Sequence, residues 1–120
     1  MPKRPLLAWE PGPGAAGALE LALEYCRVVG CELRIVHAGD ESHDVHLEEI
    51  CARLADSGVR WESARLAGRP ADAVTEAQRR WEADCLFMGA FGRGRVRDFL
   101  FGSNTVEILE RNPVPVFVCR

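Results

Sequence analysis

At 120 residues the chain is long enough for one domain with a genuine core, and it is read as a single domain over 1–120. Its composition, 48% hydrophobic and 28% charged, is that of a globular protein, and a formal net charge of −3 carries no electrostatic footprint for nucleic acid or an anionic membrane. No apolar run approaches the ~20 residues of a membrane span, and the run after the basic start, Leu6 to Trp9, is too short for a signal peptide. The five cysteines show no CxxC spacing and mostly sit in apolar periodic segments, which suits buried thiols in a reducing, cytoplasmic setting.

In chain order, Leu6-Leu7-Ala8-Trp9 is continuously apolar and reads as a buried strand closed by the turn Glu10-Pro11-Gly12-Pro13-Gly14. Leu19, Ala22, Leu23 and Cys26 recur at helical spacing, with Gly30 placed as a C-terminal glycine. Leu33 to His37 is a second strand, and Ala38 to Ser42 a polar connection. Leu47, Ile50, Cys51 and Leu54 then draw one stripe on a second helix, closed by Gly58. Val59-Arg60-Trp61-Glu62 alternates as an edge strand does, and Pro70 opens a third helix with Val74, Ala77 and Trp81 inward. Cys85 to Met88 is the most apolar strand. A fourth helix begins near Gly102-Ser103-Asn104, with Asn104 and Glu107 at capping-box spacing. Val114 to Val118 is the last strand, and Pro115 assigns it to a sheet edge.

Strands alternating with helices imply right-handed crossovers and an open, parallel five-stranded sheet with helices on both faces. The order 3-2-1-4-5 puts the alternating third strand and the Pro115 strand at the two edges, and its switch point between strands one and four. The two most glycine-rich loops, Glu10 to Gly14 and Gly89 to Ser103, meet there. In the second, Gly89, Gly92 and Gly102 let backbone N–H groups approach an anion. Ser103 opens a helix whose free N–H groups and dipole favour negative charge. That pattern suits phosphate.

The stretch from Asp84 through Met88-Gly89-Ala90-Phe91-Gly92 and Gly102-Ser103 to Pro113-Val114-Pro115-Val116 resembles the C-terminal signature of universal stress proteins. Gly-x2-Gly-x9-Gly-(Ser/Thr) marks that family's ATP-binding branch. The resemblance implies a three-layer fold of the adenine nucleotide alpha hydrolase-like kind, holding ATP or a related adenine nucleotide. Carried over by position, Gly89, Gly92, Gly102 and Ser103 hold ribose and phosphates, Asn104 continues that wall, and Ala8, Val36 and Met88 lie against adenine. Glu10 matches the family's first-strand aspartate, near the nucleotide and any Mg²⁺. The resemblance also implies a homodimer through the last strand, with Val114, Val116 and Val118 as its apolar residues.

The chain departs from the pattern at Glu10, one methylene longer than aspartate, at bulky Trp9, and at Ala90 and Phe91, where polar residues are common. These motivate an alternative, a nucleotide-free dimeric interaction module. A third reading is an enzyme, either a weak ATPase or a dinucleotide-binding one. Gly12-Pro13-Gly14-Ala15-Ala16-Gly17 is a formal GxGxxG, but His37 stands where that fingerprint wants an acid. His43 and His46 lack the cysteine pair that would complete a zinc site. No nucleophile elbow, HExxH or Walker lysine is present, so no catalytic residues are assigned.

Overall fold

The computed structural model describes residues 1–10, 14–38, 44–89 and 103–119, with the backbone alone for 44–47, 49, 103 and 104. Nine elements alternate along them: β1 (Pro5–Trp9), α1 (Ala15–Val29), β2 (Leu33–Ala38), α2 (Asp44–Asp56), β3 (Trp61–Leu66), α3 (Pro70–Trp81), β4 (Cys85–Gly89), α4 (Ser103–Arg111) and β5 (Val116–Cys119). The strands form one parallel sheet in the order β3-β2-β1-β4-β5. The order read from the edge residues is therefore the one the chain adopts.

The burial pattern explains that order. All five residues of β1 and the first four of β4 are buried, as a strand covered on both faces requires. No residue of β3 is fully buried: Trp61, Ala64 and Leu66 are half-buried and Glu62, Ser63 and Arg65 exposed. Two cores result, one per face. Leu7, Ile35, Cys85 and Phe87 pack under α1 and α2, through Leu19, Leu23, Cys26, Ile50 and Leu54. Leu6, Ala8, Val36, Leu86 and Met88 pack under α3 and α4, through Val74, Ala77 and Ile108.

Two boundaries differ from the sequence expectation. β3 begins at Trp61, not Val59. Val59 is held in the preceding turn, where its N–H donates to Ser57 Oγ at 3.1 Å. β5 begins at Val116, not Val114, because the Val114 N–H turns back to Asn112 O at 2.9 Å. Pro115, which has no N–H, still joins the sheet by accepting from Leu86 N at 2.9 Å. α4 starts at Ser103, where the sequence puts it, with Asn104 inside the first turn and not at the N-cap. Glu107 accepts from Arg69 and Arg111, at 2.8 and 3.0 Å.

Gly30 takes the left-handed conformation (φ 81°) that ends α1, and Pro70 occupies the first turn of α3, both where the sequence puts them. A buried hydrogen bond joins the last two helices on their shared face, from Asn112 Nδ2 to Thr75 Oγ1 at 3.4 Å.

Candidate functional site

The chain direction reverses its winding between β1 and β4, and a crevice at their carboxyl ends follows from that topology. Glu10, half-buried, comes directly after β1. Gly14 caps α1 with φ 80°, a conformation that glycine adopts without a Cβ clash. Gly89 ends β4, and α4 turns its amino end back toward the same edge with Ser103 and Asn104 as its first two residues.

Ala8, Val36 and Met88 are register partners across β2, β1 and β4, so they form one row. Each lies one or two residues before its strand ends, on the α3–α4 face, and each is almost wholly buried. The row has a dip at its centre, because Ala8 carries one methyl between two larger neighbours. Trp9 and His37, the next register pair, fall on the opposite face by the period of two. Gly92 and Gly102 lie outside the described residues, as do the rest of the 90–102 loop and its arginines. So does His43. His46 is described only by its backbone in α2.

Four charged residues fix α4 against α3. Arg69, the residue before Pro70, reaches Asp72 at 3.4 Å and Glu107 at 2.8 Å. Arg111 reaches Asp72 at 2.8 Å and Glu107 at 3.0 Å. The guanidinium of Arg111, and then that of Arg69, hold the Asp72 carboxyl below its ordinary value. Each exposed pair contributes little alone, but two doubly engaged carboxylates set the rotation of α4. That rotation aims the free N–H groups of its first turn. Sequence reading missed this network, although Glu107 and Arg111 are four apart and face outward together.

Gly17 tests the dinucleotide reading. As the third glycine of the fingerprint it should mark an approach too close for a side chain. A Cβ there would meet Cys119 Cβ at 3.7 Å, an ordinary contact, so the fingerprint's packing demand is absent at this glycine. Among the described residues no group of three or more acidic, histidine or cysteine side chains could hold a metal ion, and no helix is long and apolar enough to cross a membrane.

These features define a doubly wound parallel α/β protein whose switch point lies between β1 and β4. The universal stress protein family model matches residues 38–120. A universal stress protein encoded beside the QAH/OAS sulfhydrylase gene of Thermus aquaticus is 31% identical over 132 residues, covering 96% of both chains. The chain belongs to the universal stress protein family. Two solved members show its fold at low identity. One, in complex with cAMP, has a TM-score of 0.80 at 20% identity and covers 100% of this chain and 98% of its own. The other, from Archaeoglobus fulgidus in complex with dAMP, has a TM-score of 0.75 at 18% identity and covers 98% of each.

Proposed function

We propose that the protein is a cytoplasmic regulator that binds ATP, or a related adenine nucleotide, in the crevice between β1 and β4. What supports this reading is that Glu10 follows β1 and Gly89 ends the neighbouring β4, at the end of the sheet where Ala8, Val36 and Met88 form one register row. Each part suits one part of the ligand. The row offers an apolar seat with a central dip to a planar base. Gly89 and the first turn of α4 offer unobstructed N–H groups to phosphates. Glu10 offers one carboxylate to a Mg²⁺ that also needs phosphate oxygens. Gly92, Gly102, Ser103 and Asn104 complete the set by sequence position. That two relatives of this fold were solved with adenine nucleotides, cAMP and dAMP, supports the same class of ligand here.

The test is direct. Protein purified without added nucleotide is denatured and the supernatant assayed for ATP and AMP. The purified protein is then melted with Mg-ATP, AMP and NAD. An adenine nucleotide at about 100 times its Kd should add about 2.7 kcal/mol, a rise of several degrees in Tm. No released nucleotide and no shift would favour the nucleotide-free module, and a shift with NAD alone would favour the dinucleotide reading.

We also propose that the protein is a homodimer through the β5 edge. Among the described residues six large apolar side chains are exposed, and five of them flank that edge. On α1, Glu20 bonds Arg53 of α2, so Leu21 and Val28 point the other way, toward β5. On α4, Glu107 faces Arg69 at α3, so Val106 and Leu109 point outward past β5. Phe117 lies between them, stacked on Phe87 with ring centroids 4.8 Å apart. Val114, Val116 and Val118 are half-buried against the α3–α4 core, leaving Phe117 as the strand's exposed anchor. A short unpaired edge framed by apolar side chains from both helix layers suits a second copy of the chain.

A further inference from the structure

At the opposite end of the sheet a cleft of about 760 Å³ opens beneath the starts of β1 and β2. Five cations line it, Lys3, Arg4, Arg27, Arg34 and Arg60, against one lining carboxylate, Glu32, in a chain of net charge −3. Arg27 is paired with Glu24, and Arg34 with Glu32 and Glu62 while lying 5.3 Å over the Trp81 ring. Arg4 donates to Trp81 O at 2.7 Å. The side chains of Lys3, Arg4 and Arg60 pair with no carboxylate among the described residues, while the Asp84 carboxylate accepts from the backbone N–H groups of Lys3 and Arg4 at 2.9 and 2.8 Å.

Two cysteines, Cys26 and Cys31, are among the residues that line the same cleft. The end of α1 brings them together. The N–H groups of Gly30 and Cys31 both donate to Cys26 O, at 2.8 and 3.1 Å. That wrap is the helix stop that sets the third residue from the end against the second residue beyond it. A direct backbone bond between the two residues puts their Cα atoms in the separation a disulfide spans, roughly 4.4–6.8 Å. Cys26 is buried and Cys31 half-buried at the cleft. Burial, and then Cys31 and Cys85 nearby, push the Cys26 thiol up to about 12.

We propose that this cleft is a dithiol site that reduces anionic low-molecular-weight disulfides. Cys31 Sγ, as thiolate, attacks one sulfur of the bound disulfide; its S–S bond breaks and the first small thiol leaves. Cys26 Sγ then gives up its proton and attacks Cys31 Sγ, releasing the second small thiol and closing Cys26–Cys31. The substrate gains two electrons and two protons, and the protein pair loses them, so no further oxidant enters. Acidic groups on the substrate match the three cations whose side chains pair with no carboxylate, Lys3, Arg4 and Arg60. The cations also offset the negative pole of α1, which ends at the cleft and opposes a thiolate. The high value of Cys26 makes the second attack the slow step.

The test uses the full-length protein carrying Cys51→Ser and Cys119→Ser, with its melt checked first. Its reaction with the dianionic disulfide 5,5′-dithiobis(2-nitrobenzoate) is followed by absorbance and intact mass. One equivalent of small thiol should appear quickly with a mixed disulfide on Cys31. A second should follow slowly, leaving a protein lighter by two hydrogens, and this phase should accelerate as pH rises. Cys26→Ala should stop at the mixed disulfide, and Cys31→Ser should abolish the fast phase. Arg60→Glu should slow the dianionic reagent about tenfold at low salt, and not slow the dication cystamine. A mixed disulfide that persists with Cys26 reduced, a fast phase that survives Cys31→Ser, or equal Arg60→Glu effects on both reagents would each overturn the proposal.

Discussion

Phe117→Glu puts the dimer reading at risk. Phe117 is 42% exposed, and its other face rests on Phe87. On a side chain of about 200 Å² that leaves about 80 Å² for a partner to cover. At about 25 cal/mol per Å², covering it contributes about 2 kcal/mol. An isologous interface counts each substitution twice, so the dimer loses about 4 kcal/mol, or roughly a thousandfold in Kd. Facing glutamates add repulsion to that loss. The five flanking residues together expose about 400 Å², half of the ~800 Å² per partner of a standard interface, so strand pairing and a polar rim must supply the rest. Light scattering and sedimentation across a concentration series measure the loss. Because the substitution also removes a ring stacked on Phe87, Val28→Glu provides a control. Val28 is 74% exposed, outside the core, and should weaken the dimer in the same direction without changing the melt of the monomer. A wild-type protein that is monomeric at high micromolar concentration, or a Kd unmoved by both variants, would refute the argument.

Gly102→Val should weaken Mg-ATP binding at least tenfold, about 1.4 kcal/mol, in a folded protein, measured by calorimetric titration; unchanged affinity removes Gly102 from the site. Glu10→Ala should reduce affinity for Mg-ATP more than affinity for metal-free ATP, and equal losses would assign Glu10 a structural role. Gly17→Ala should raise stability by about 0.5–1 kcal/mol in urea unfolding, since helix α1 gains a better helix former and the new Cβ meets only an ordinary contact. A loss there would mean that α1 cannot yield to the methyl. Stability should fall above about pH 9, by up to about 1.4 kcal/mol per pH unit for each of Cys26 and Cys85. Both are raised by burial to about 12, so the unfolded thiols ionise while the folded ones stay neutral, and the raised value favours unfolding as pH climbs. Urea midpoints that stay level from pH 8 to 11 would contradict it.

The sheet order was legible because the two edge strands carry local marks. Alternation in β3 and Pro115 beside β5 each exclude a central place, and the continuous apolar runs of β1 and β4 demand one. Gly30 and Pro70 were legible because their backbone requirements are local. What failed was also local in appearance. Val59 fits a strand's alternation, yet a side-chain bond from Ser57 holds it in a turn, and sequence spacing does not report which acceptor wins. Asn104 and Glu107 have capping-box spacing, but α4 already begins at Ser103, and Glu107 carries ion pairs to Arg111 and to Arg69, a residue 38 positions away. For the site, Ala8, Val36 and Met88 came from family position, and the register now explains their grouping. The apolar flank was missed because Leu21 and Val28 lie off the buried stripe of α1. They are seven apart, one helical face, and only the place of α2 shows that this face is not covered.

The crevice and the dimer edge meet in one element. α4 is nine residues long, about two and a half turns, so its two ends move as a rigid unit. Its first turn faces the crevice, its inner face is held by Ile108 and by Asn112 just beyond its end, and its outer side carries Val106 and Leu109 to the β5 flank. Arg69 and Arg111 hold its rotation through Glu107 and Asp72. On the proposed function, a nucleotide that draws on the N–H groups of Ser103 and Asn104 and a second copy that covers Val106 and Leu109 act on the same helix, and linkage makes any coupling reciprocal: whatever factor the nucleotide applies to dimer affinity, dimerisation applies to nucleotide affinity. The ion pairs are exposed and individually weak, so they hold the rotation of α4 less firmly than the buried Ile108 holds its inner face.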